Sequence, residues 1–463
     1  MPTPSDAFVF FGATGDLAYK QIFPSLQAMV KAGTLDVPVI GVAKAGWNLD
    51  QLKKRAQESL EEHGGVDRRA FAQLKRLMRY VDGDYADPET FAELKRQLGR
   101  SRRPLHYLAI PPTLFGRVAQ ALHESGCAPE GTRIVVEKPF GRDLASAQAL
   151  NRELHKVFPE QAIFRIDHYL GKEPVENLTF FRFANGFLEP IWNRHNLASV
   201  QVTMAESFGV QGRGGFYETA GAIRDVVQNH MLQIVSLLAM EPPAGQDPEA
   251  IRDRKAELVR AMAPVRKSDV VRGQFRGYSE EPGVAKNTTV ETFAALRLHI
   301  PTWRWAGVPF LIRVGKCLPE TVCEVLVGLT PPPVSVFRGE RRHHNTMRFR
   351  VQPDIAIGLG ARIKKEGKGM VGEEVELVVQ ESPADDMPPY QRLLGDALNG
   401  DSGLFARQDY VEAAWRVVDP ILGDATPVYP YDAGTWGPEE ANKVPPRGDI
   451  WHDPQPPAQP PAR

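Results

Sequence analysis

The stretch 163–173 (Ile-Phe-Arg-Ile-Asp-His-Tyr-Leu-Gly-Lys-Glu) sets a carboxylate at Asp167, an imidazole at His168, a phenol at Tyr169 and an ammonium at Lys172 almost side by side, bounded by Gly171 and Pro174. Connecting segments are usually polar but rarely carry this mixture. It reads either as a working site with acid–base and anion-holding groups or as a solvated loop with incidental charges. A second group is the turn Gly12-Ala13-Thr14-Gly15-Asp16-Leu17-Ala18. Such a turn lets backbone N–H groups and a helix N-terminus approach a pyrophosphate, because glycine removes the Cβ and the helix dipole favours an anion. Its G-x-x-G-x-x-A spacing departs from the usual dinucleotide fingerprint in the place of the middle glycine. Lys44 follows the next apolar run. An acid there would accept hydrogen bonds from both free ribose hydroxyls and a base suits a 2′-phosphate, so the lysine points to NADP; the plainer alternative is a surface charge. Lys138, in Glu137-Lys138-Pro139-Phe140-Gly141, either terminates a strand or sits in a tight turn before proline, where a cis bond is an option.

The elements that must position these groups follow from periodicity. The apolar run 7–11, the glycine turn, and Ile22, Leu26, Met29 and Val30 at helical spacing read as strand, turn and helix. Further strands are predicted over 37–42, 79–85, 104–110, 132–137 and 162–166, and helices over 50–62, 67–80, 88–98, 115–125 and 143–157. This alternation predicts a doubly wound parallel sheet, whose ligands lie beyond the carboxyl ends of its strands. The glycine turn, Lys138 and the 167–169 cluster then converge on one edge. In the second half, strand-like patterns at 197–206, 292–300, 310–314, 324–329, 346–351 and 374–379 predict a large, mostly antiparallel sheet with helices on one face. One clear helix, 224–240, carries Ile223, Val227, Ile234 and Leu238 on a single stripe. His230 falls on that apolar side, where a lone histidine is more often a satisfied core residue. On the same wheel Asp225 lies about 140° from His230, so the two share a site only if Asp225 belongs to the helix entrance as an N-cap.

Composition narrows the function. The 463 residues are enough for two substantial domains, and the 42% hydrophobic and 24% charged residues fit a globular protein. With 56 Lys+Arg against 57 Asp+Glu, no global field favours nucleic acid or an anionic membrane. There is no basic region followed by an apolar stretch at the N-terminus and no run of about 18 apolar residues, which predicts a cytoplasmic protein without a membrane partner. Cys127, Cys317 and Cys323 lack C-x-x-C spacing, against both a disulfide framework and a structural zinc site.

Gly12 to Ala18, Glu137 to Gly141 and Arg165 to Glu173 closely resemble the motifs of the glucose-6-phosphate dehydrogenase family. The likeness continues through Arg182-Phe183-Ala184-Asn185, Ile191 to Arg194, Gly212 to Gly215, Ile223 to His230 and Gly307 to Phe310, and reaches Tyr431 to Pro438. It implies a fold of class α/β plus α+β, with a Rossmann-like dinucleotide-binding domain over 1–175 and a substrate and dimerisation domain over 176–437. The proline-rich stretch 438–463 is expected to be an extended or disordered tail. The implied reaction is oxidation of D-glucose 6-phosphate at C1 to 6-phospho-D-glucono-1,5-lactone with hydride transfer to NADP, the first step of the oxidative pentose phosphate pathway.

The same resemblance assigns roles. His230 matches the general base and Asp167 the carboxylate that fixes its tautomer. His168, Tyr169 and Lys172 match the phosphate-holding positions, Lys138 a lysine between sugar and coenzyme, and Glu206, Asp225, Gln352 and Lys316 contacts near the sugar. Coenzyme contacts are implied at Gly12, Ala13, Thr14, Gly15, Asp16, Leu17, Lys44, Asp84, Tyr85 and Lys138. A homodimer or homotetramer through the C-terminal sheet is implied, and no metal. Two departures stand out. Lys44 occupies a place where the family usually has arginine, and a point charge lacks the planar fork that clasps a phosphate, which implies relaxed NADP preference and room for NAD. Thr321 stands where a base near the phosphate is common, leaving either weaker phosphate affinity or substitution by Arg313 or another base. The alternatives are another NAD(P)-dependent sugar or sugar-phosphate dehydrogenase, or a nucleotide-binding sensor that has lost catalysis.

Overall fold

The computed structural model describes residues 3–337, 343–367, 369–381 and 387–455. Its first sheet contains β1 (Ala7–Phe11), β2 (Val39–Ala43), β3 (Met78–Asp82), β4 (Pro104–Leu108), β5 (Arg133–Glu137) and β6 (Ile163–Ile166), all parallel, in the order β6-β5-β4-β1-β2-β3. The chain runs outward from β1 through β2 to β3 and then returns to β4 on the other side of β1. That reversal leaves a crevice at the carboxyl ends of β1 and β4, the place where such sheets bind ligands. β1, β2, β4, β5 and β6 are buried along their whole length, as expected of strands covered on both faces, and this is why they read as apolar runs rather than alternations. Helices start where the sequence supplies caps: Asn48 Oδ1 accepts from the N–H groups of Asp50 and Gln51 at the head of Leu49–Glu62.

The second sheet has the order β14-β13-β12-β11-β7-β10-β9-β8-β16. It is built from β7 (Leu197–Ala205), β8 (Val270–Phe275), β9 (Phe293–Leu298), β10 (Phe310–Gly315), β11 (Val322–Leu329), β12 (Thr346–Gln352), β13 (Ile355–Lys364), β14 (Gly372–Glu381) and β16 (Val428–Tyr431). A short β15 (Phe405–Ala406) instead joins the first sheet, antiparallel to β6. The second sheet is antiparallel except for the pairs β7–β10 and β8–β16. Strands β8 and β13 carry no strong sequence signal because glycine interrupts both, at Gly273 and at Gly358 and Gly360.

The chain divides into two compact units whose sequences interleave. The first holds the residues up to Glu173 together with Pro243–Asp253 and Met387–Glu412; the second holds Pro174–Pro242, Arg254–Asp386 and the residues from Ala413. The expected division at 175/176 thus lies close to one crossing of the chain but misses the later segments that return to the first unit. Arg407 ties two of these returning segments together by pairing with Glu249 at 2.8 Å and Asp253 at 2.6 Å. Leu393 and Leu394, on the helix Pro389–Asn399, join the first core beside Phe8, Phe10 and Tyr107.

The stretch 438–463 departs from expectation. Among the described residues, Ala441, Val444 and Trp451 are buried in the second unit's core with Phe293 and Tyr431. Buried Arg313 pairs with Asp453 at 2.7 Å, donates to the His452 carbonyl, and lies over the rings of Trp436 and Trp451. Proline bars regular structure but not packing, and a buried arginine seeking acceptors gives the segment an anchor. Residues 456–463 lie outside the described residues. Among those described, no helix is long and apolar enough to cross a membrane.

Candidate active site

The first unit presents its chemistry where its strands end. After β1 the chain turns at Gly12 with φ +78°; a Cβ on Gly12 would stand 2.1 Å from the Ala109 carbonyl oxygen, so both conformation and space demand glycine. The Gly12 N–H is shared between the Val42 carbonyl and the Tyr85 hydroxyl, each at 2.9 Å, and the Gly15 N–H closes the turn on the Gly12 carbonyl at 2.9 Å. Gly15 and Asp16 are exposed at the mouth of the turn, with Thr14 and Leu17 half-buried and Ala13 buried. Helix begins directly afterwards, as a π-helical turn at Ala18–Ile22 that passes into Phe23–Ala32. A turn at the switch point with no Cβ at Gly12 or Gly15, running into a helix, fits an anionic dinucleotide.

Beside it, Lys44 Nζ lies 2.7 Å from Asp84 Oδ2, and this ion pair raises the lysine pKa and lowers the aspartate's. Asp82 Oδ1 accepts from the N–H groups of Ala45, Gly46 and Trp47 and from the Tyr80 hydroxyl. Against the desolvation that would raise it, those donors hold the Asp82 carboxyl below the usual carboxylate range.

At the end of β5, Lys138-Pro139 is a cis peptide, and Lys138 is half-buried. Its neighbour Glu137 is buried against the hydroxyls of Tyr107 and Tyr390; burial pushes its carboxyl up to about 7, opposed by those two hydroxyl hydrogen bonds. At the end of β6, Asp167 is 1% exposed and its Oδ1 accepts from the Tyr169 N–H at 3.0 Å, folding 167–170 into a tight turn. Lys172 Nζ stands 3.9 Å from the centroid of the Tyr169 ring, a cation–π contact that holds the ammonium beside the phenol. The His168 ring stacks on Tyr390 with centroids 6.4 Å apart and an interplanar angle of 11°. A Cβ on Gly171 would come within 3.0 Å of the Pro389 carbonyl, so the loop sits hard against the helix bearing Tyr390. Tyr390 therefore touches both Glu137 and His168. Its local sequence carries no motif that would single it out.

The second unit gathers a different set. β10 is parallel to β7, and β12 is two antiparallel steps from β7, so β7, β10 and β12 all end at the same edge of the sheet. The three ends deliver Glu206, Lys316 and Gln352. Lys316 Nζ pairs with Glu206 Oε2 at 2.6 Å and lies 5.2 Å from the ring centroids of both Phe208 and Tyr217. Thr321 is occupied structurally, its hydroxyl accepting from the Ser207 N–H at 3.0 Å. Arg313, a candidate replacement base, is 1% exposed and committed to Asp453 and His452. It is therefore no substitute for a base at 321.

His230 and Asp225 do not lie on the α-helix that their spacing predicts. Ile223–Met231 is π-helical, and the α-helix proper is Leu232–Ala239. Hydrogen bonding from i to i+5 winds the chain at more than four residues per turn, so residues five apart fall near one another on the same side. Asp225 and His230 are five apart. The helical-wheel objection to their sharing a site thus rested on the wrong pitch, and Asp225 need not act as an N-cap. The π-helix is set by what precedes it: Gly221 has φ +67°, the Ala222 N–H bonds the Glu291 carbonyl, and the Ile223 N–H bonds Glu291 Oε1. Glu291 is held in turn by buried Arg272 at 3.0 Å. No motif marked Glu291 or Arg272, although the latter is a charged residue in an otherwise apolar stretch.

Comparison with known proteins covers nearly the whole chain. Residues 9–177 match the family model described as glucose-6-phosphate dehydrogenase, NAD binding domain, and 179–452 match glucose-6-phosphate dehydrogenase, C-terminal domain. Glucose-6-phosphate 1-dehydrogenase 1 of Mycobacterium tuberculosis is 42% identical over 95% of this chain and 94% of its own. The crystal structure of glucose-6-phosphate 1-dehydrogenase from Mycobacterium avium is 43% identical, with a TM-score of 0.92 over 98% of this chain and 100% of that one. A glucose-6-phosphate dehydrogenase solved in complex with glucose 6-phosphate is 34% identical, with a TM-score of 0.87 over 95% and 97% of the two chains.

Proposed function

This chain belongs to the glucose-6-phosphate dehydrogenase family, and we propose that it oxidises D-glucose 6-phosphate at C1 to 6-phospho-D-glucono-1,5-lactone with NADP, opening the oxidative pentose phosphate pathway. The observation that carries this reading is the whole-length likeness to a dehydrogenase solved with that sugar phosphate. The coenzyme, when bound, supplies C4 of its nicotinamide as hydride acceptor. In this reading the glycine turn and Lys138 hold the coenzyme, and His168, Tyr169 and Lys172 hold the substrate phosphate. Support for the last assignment comes from their clustering: an ammonium, a phenol and an imidazole on one tight turn form a donor-rich seat of the kind a phosphate needs. Glu206, Lys316, Gln352 and Asp225 orient the sugar. His230 accepts the C1 hydroxyl proton, so that the negative charge developing on oxygen drives hydride departure, and Asp167 fixes the imidazole tautomer and stabilises its protonated form. The direct test is ultraviolet absorbance of reduced nicotinamide with glucose 6-phosphate, glucose and each coenzyme. Absence of turnover with glucose 6-phosphate under both coenzymes would reject the reading.

Lys172→Ala is expected to raise KM for glucose 6-phosphate by roughly tenfold or more, because a charge-assisted contact to phosphate is removed. Free glucose lacks that phosphate and should be oxidised at an unchanged rate. Equal losses with both sugars would remove the lysine from the phosphate site.

The same proposal includes self-association through the second sheet. Leu359, Leu377 and Val379 on β13 and β14 are 43%, 67% and 68% exposed, and Leu359 pairs with Leu377 across the ladder. An apolar row on exposed outer strands supports an assembly surface, since left open it invites aggregation. Leu377→Lys combined with Val379→Lys should shift the sedimentation coefficient to that of a single chain. An unchanged coefficient would place the interface elsewhere.

A further inference from the structure

We infer that Asp84 sets the coenzyme choice of this enzyme, holding Lys44 in an ion pair suited to a ribose with free hydroxyls, so that NAD is accepted about as readily as NADP. The inference rests on the dehydrogenase reading above and concerns the same coenzyme site. It begins with register: Ala43, the last residue of β2, pairs with Asp82, the last residue of β3. The two strands therefore release their loops side by side, and the positive group expected to meet a 2′-phosphate meets a protein carboxylate first.

Asp84 is held at several points. Its Oδ2 takes Lys44 Nζ at 2.7 Å, its Oδ1 accepts from the Ala86 N–H at 2.8 Å, and its carbonyl accepts from Thr90 Oγ1 at 2.8 Å. A Cβ on the preceding Gly83 would stand 2.1 Å from Thr90 Oγ1, so the approach that positions the carboxylate depends on glycine. The second acid closes the other source of positive potential. Successive N–H groups of Ala45, Gly46 and Trp47 point together, the arrangement that forms a backbone anion seat, and Asp82 Oδ1 already occupies it at 3.0, 2.9 and 3.3 Å.

Both the ammonium and the backbone donors at the end of β2 are thus matched by built-in carboxylates. A 2′-phosphate must draw Lys44 away from Asp84 and then lie beside an anion, whereas the free hydroxyls of NAD can donate to that same carboxylate. Arg117 also acts on Asp84 electrostatically and is a remaining cation on this side. The lysine and aspartate side chains are 72% and 45% exposed, so solvent screens the pair and the effect is a shift in preference rather than a barrier.

The test is the dissociation constant of each coenzyme, measured by calorimetry on the full chain, alongside kcat/KM with glucose 6-phosphate. The wild type should bind NADP and NAD within roughly tenfold of each other, and Asp84→Asn should move the ratio toward NADP by about fivefold, with NAD unchanged or weaker. Asp84→Ser should move it the same way, and Lys44→Ala should weaken NADP alone. A ratio unaltered by both Asp84 substitutions, or a wild type that binds NADP more than about a hundredfold tighter than NAD, would overturn the inference. Should the ratio shift as expected while glucose 6-phosphate is not oxidised with either coenzyme, the inference stands and the activity assignment fails.

Discussion

His230→Asn should lower kcat by about 10²-fold or more while the dissociation constant for glucose 6-phosphate stays within a few-fold of wild type, because proton acceptance is lost and the phosphate contacts are not. The residue is 2% exposed on the π-helix Ile223–Met231. Asparagine is smaller and still polar, so the substitution removes the basic nitrogen without burying a charge. Steady-state rates combined with equilibrium binding separate the two outcomes. Near wild-type kcat would make this histidine a structural core residue, the plainer alternative for an imidazole on an apolar helix face. A loss of binding as large as the loss of rate would point to a sugar contact instead. Asp225 offers an internal comparison: it shares the helix and, through the π-helical pitch, the side, yet a carboxylate that only orients the sugar should affect KM at least as much as kcat.

The second large effect is on stability. Glu291→Ala should destabilise the fold by about 3–5 kcal/mol, the usual consequence of removing one partner of a buried ion pair. Arg272 and Glu291 have side chains only 2% and 4% exposed and meet at 3.0 Å. Without the carboxylate, Arg272 keeps the carbonyls of Thr426 and Thr289 but carries an uncompensated charge, and the Ile223 N–H loses its acceptor. A Cβ on Gly221 would sit 2.5 Å from Glu291 Oε1, so glycine and glutamate are fitted to one another. The shift of the urea unfolding transition, followed by tryptophan fluorescence, reads this cost. Glu291→Gln, which can still accept the Ile223 N–H, should cost less than the alanine. Because Glu291 anchors the first residue of the helix bearing Asp225 and His230, the alanine variant should also lose kcat below its unfolding range. A destabilisation under about 1 kcal/mol would mean that water or another acceptor replaces the carboxylate readily.

Legibility differs between the two halves of the chain for a physical reason. In the first unit β1, β2, β4, β5 and β6 are short and buried along their whole length, so local pattern and tertiary role agree: β1 is expected at 7–11 and spans Ala7–Phe11, and the helix Pro88–Leu98 is expected at 88–98. In the second sheet, glycine-interrupted β8 and β13 gain their strand geometry from neighbours on both sides, and no window of their own sequence reports it. The stretch 439–455 misled for the same cause. Its composition describes a chain unable to make its own core, whereas Trp451 and Asp453 are completed by Arg313, a residue far away in sequence.

By itself the sequence determined which chemistry is available: the glycine turn, the ordered Asp167-His168-Tyr169 cluster with Lys172, and the Ile223-to-His230 motif are covalent facts, and they sufficed to identify the family. Only the tertiary structure decided how that chemistry is set. It wound 223–231 as a π-helix and so changed where Asp225 falls relative to His230, brought Tyr390 between Glu137 and His168, used up Arg313 in a structural pair, and placed Asp84 against Lys44. The reason is common to all four cases. A side chain's type and spacing follow from the chain, but its partners, and hence its charge and freedom to bind, are chosen by residues that meet only when strands and helices pack.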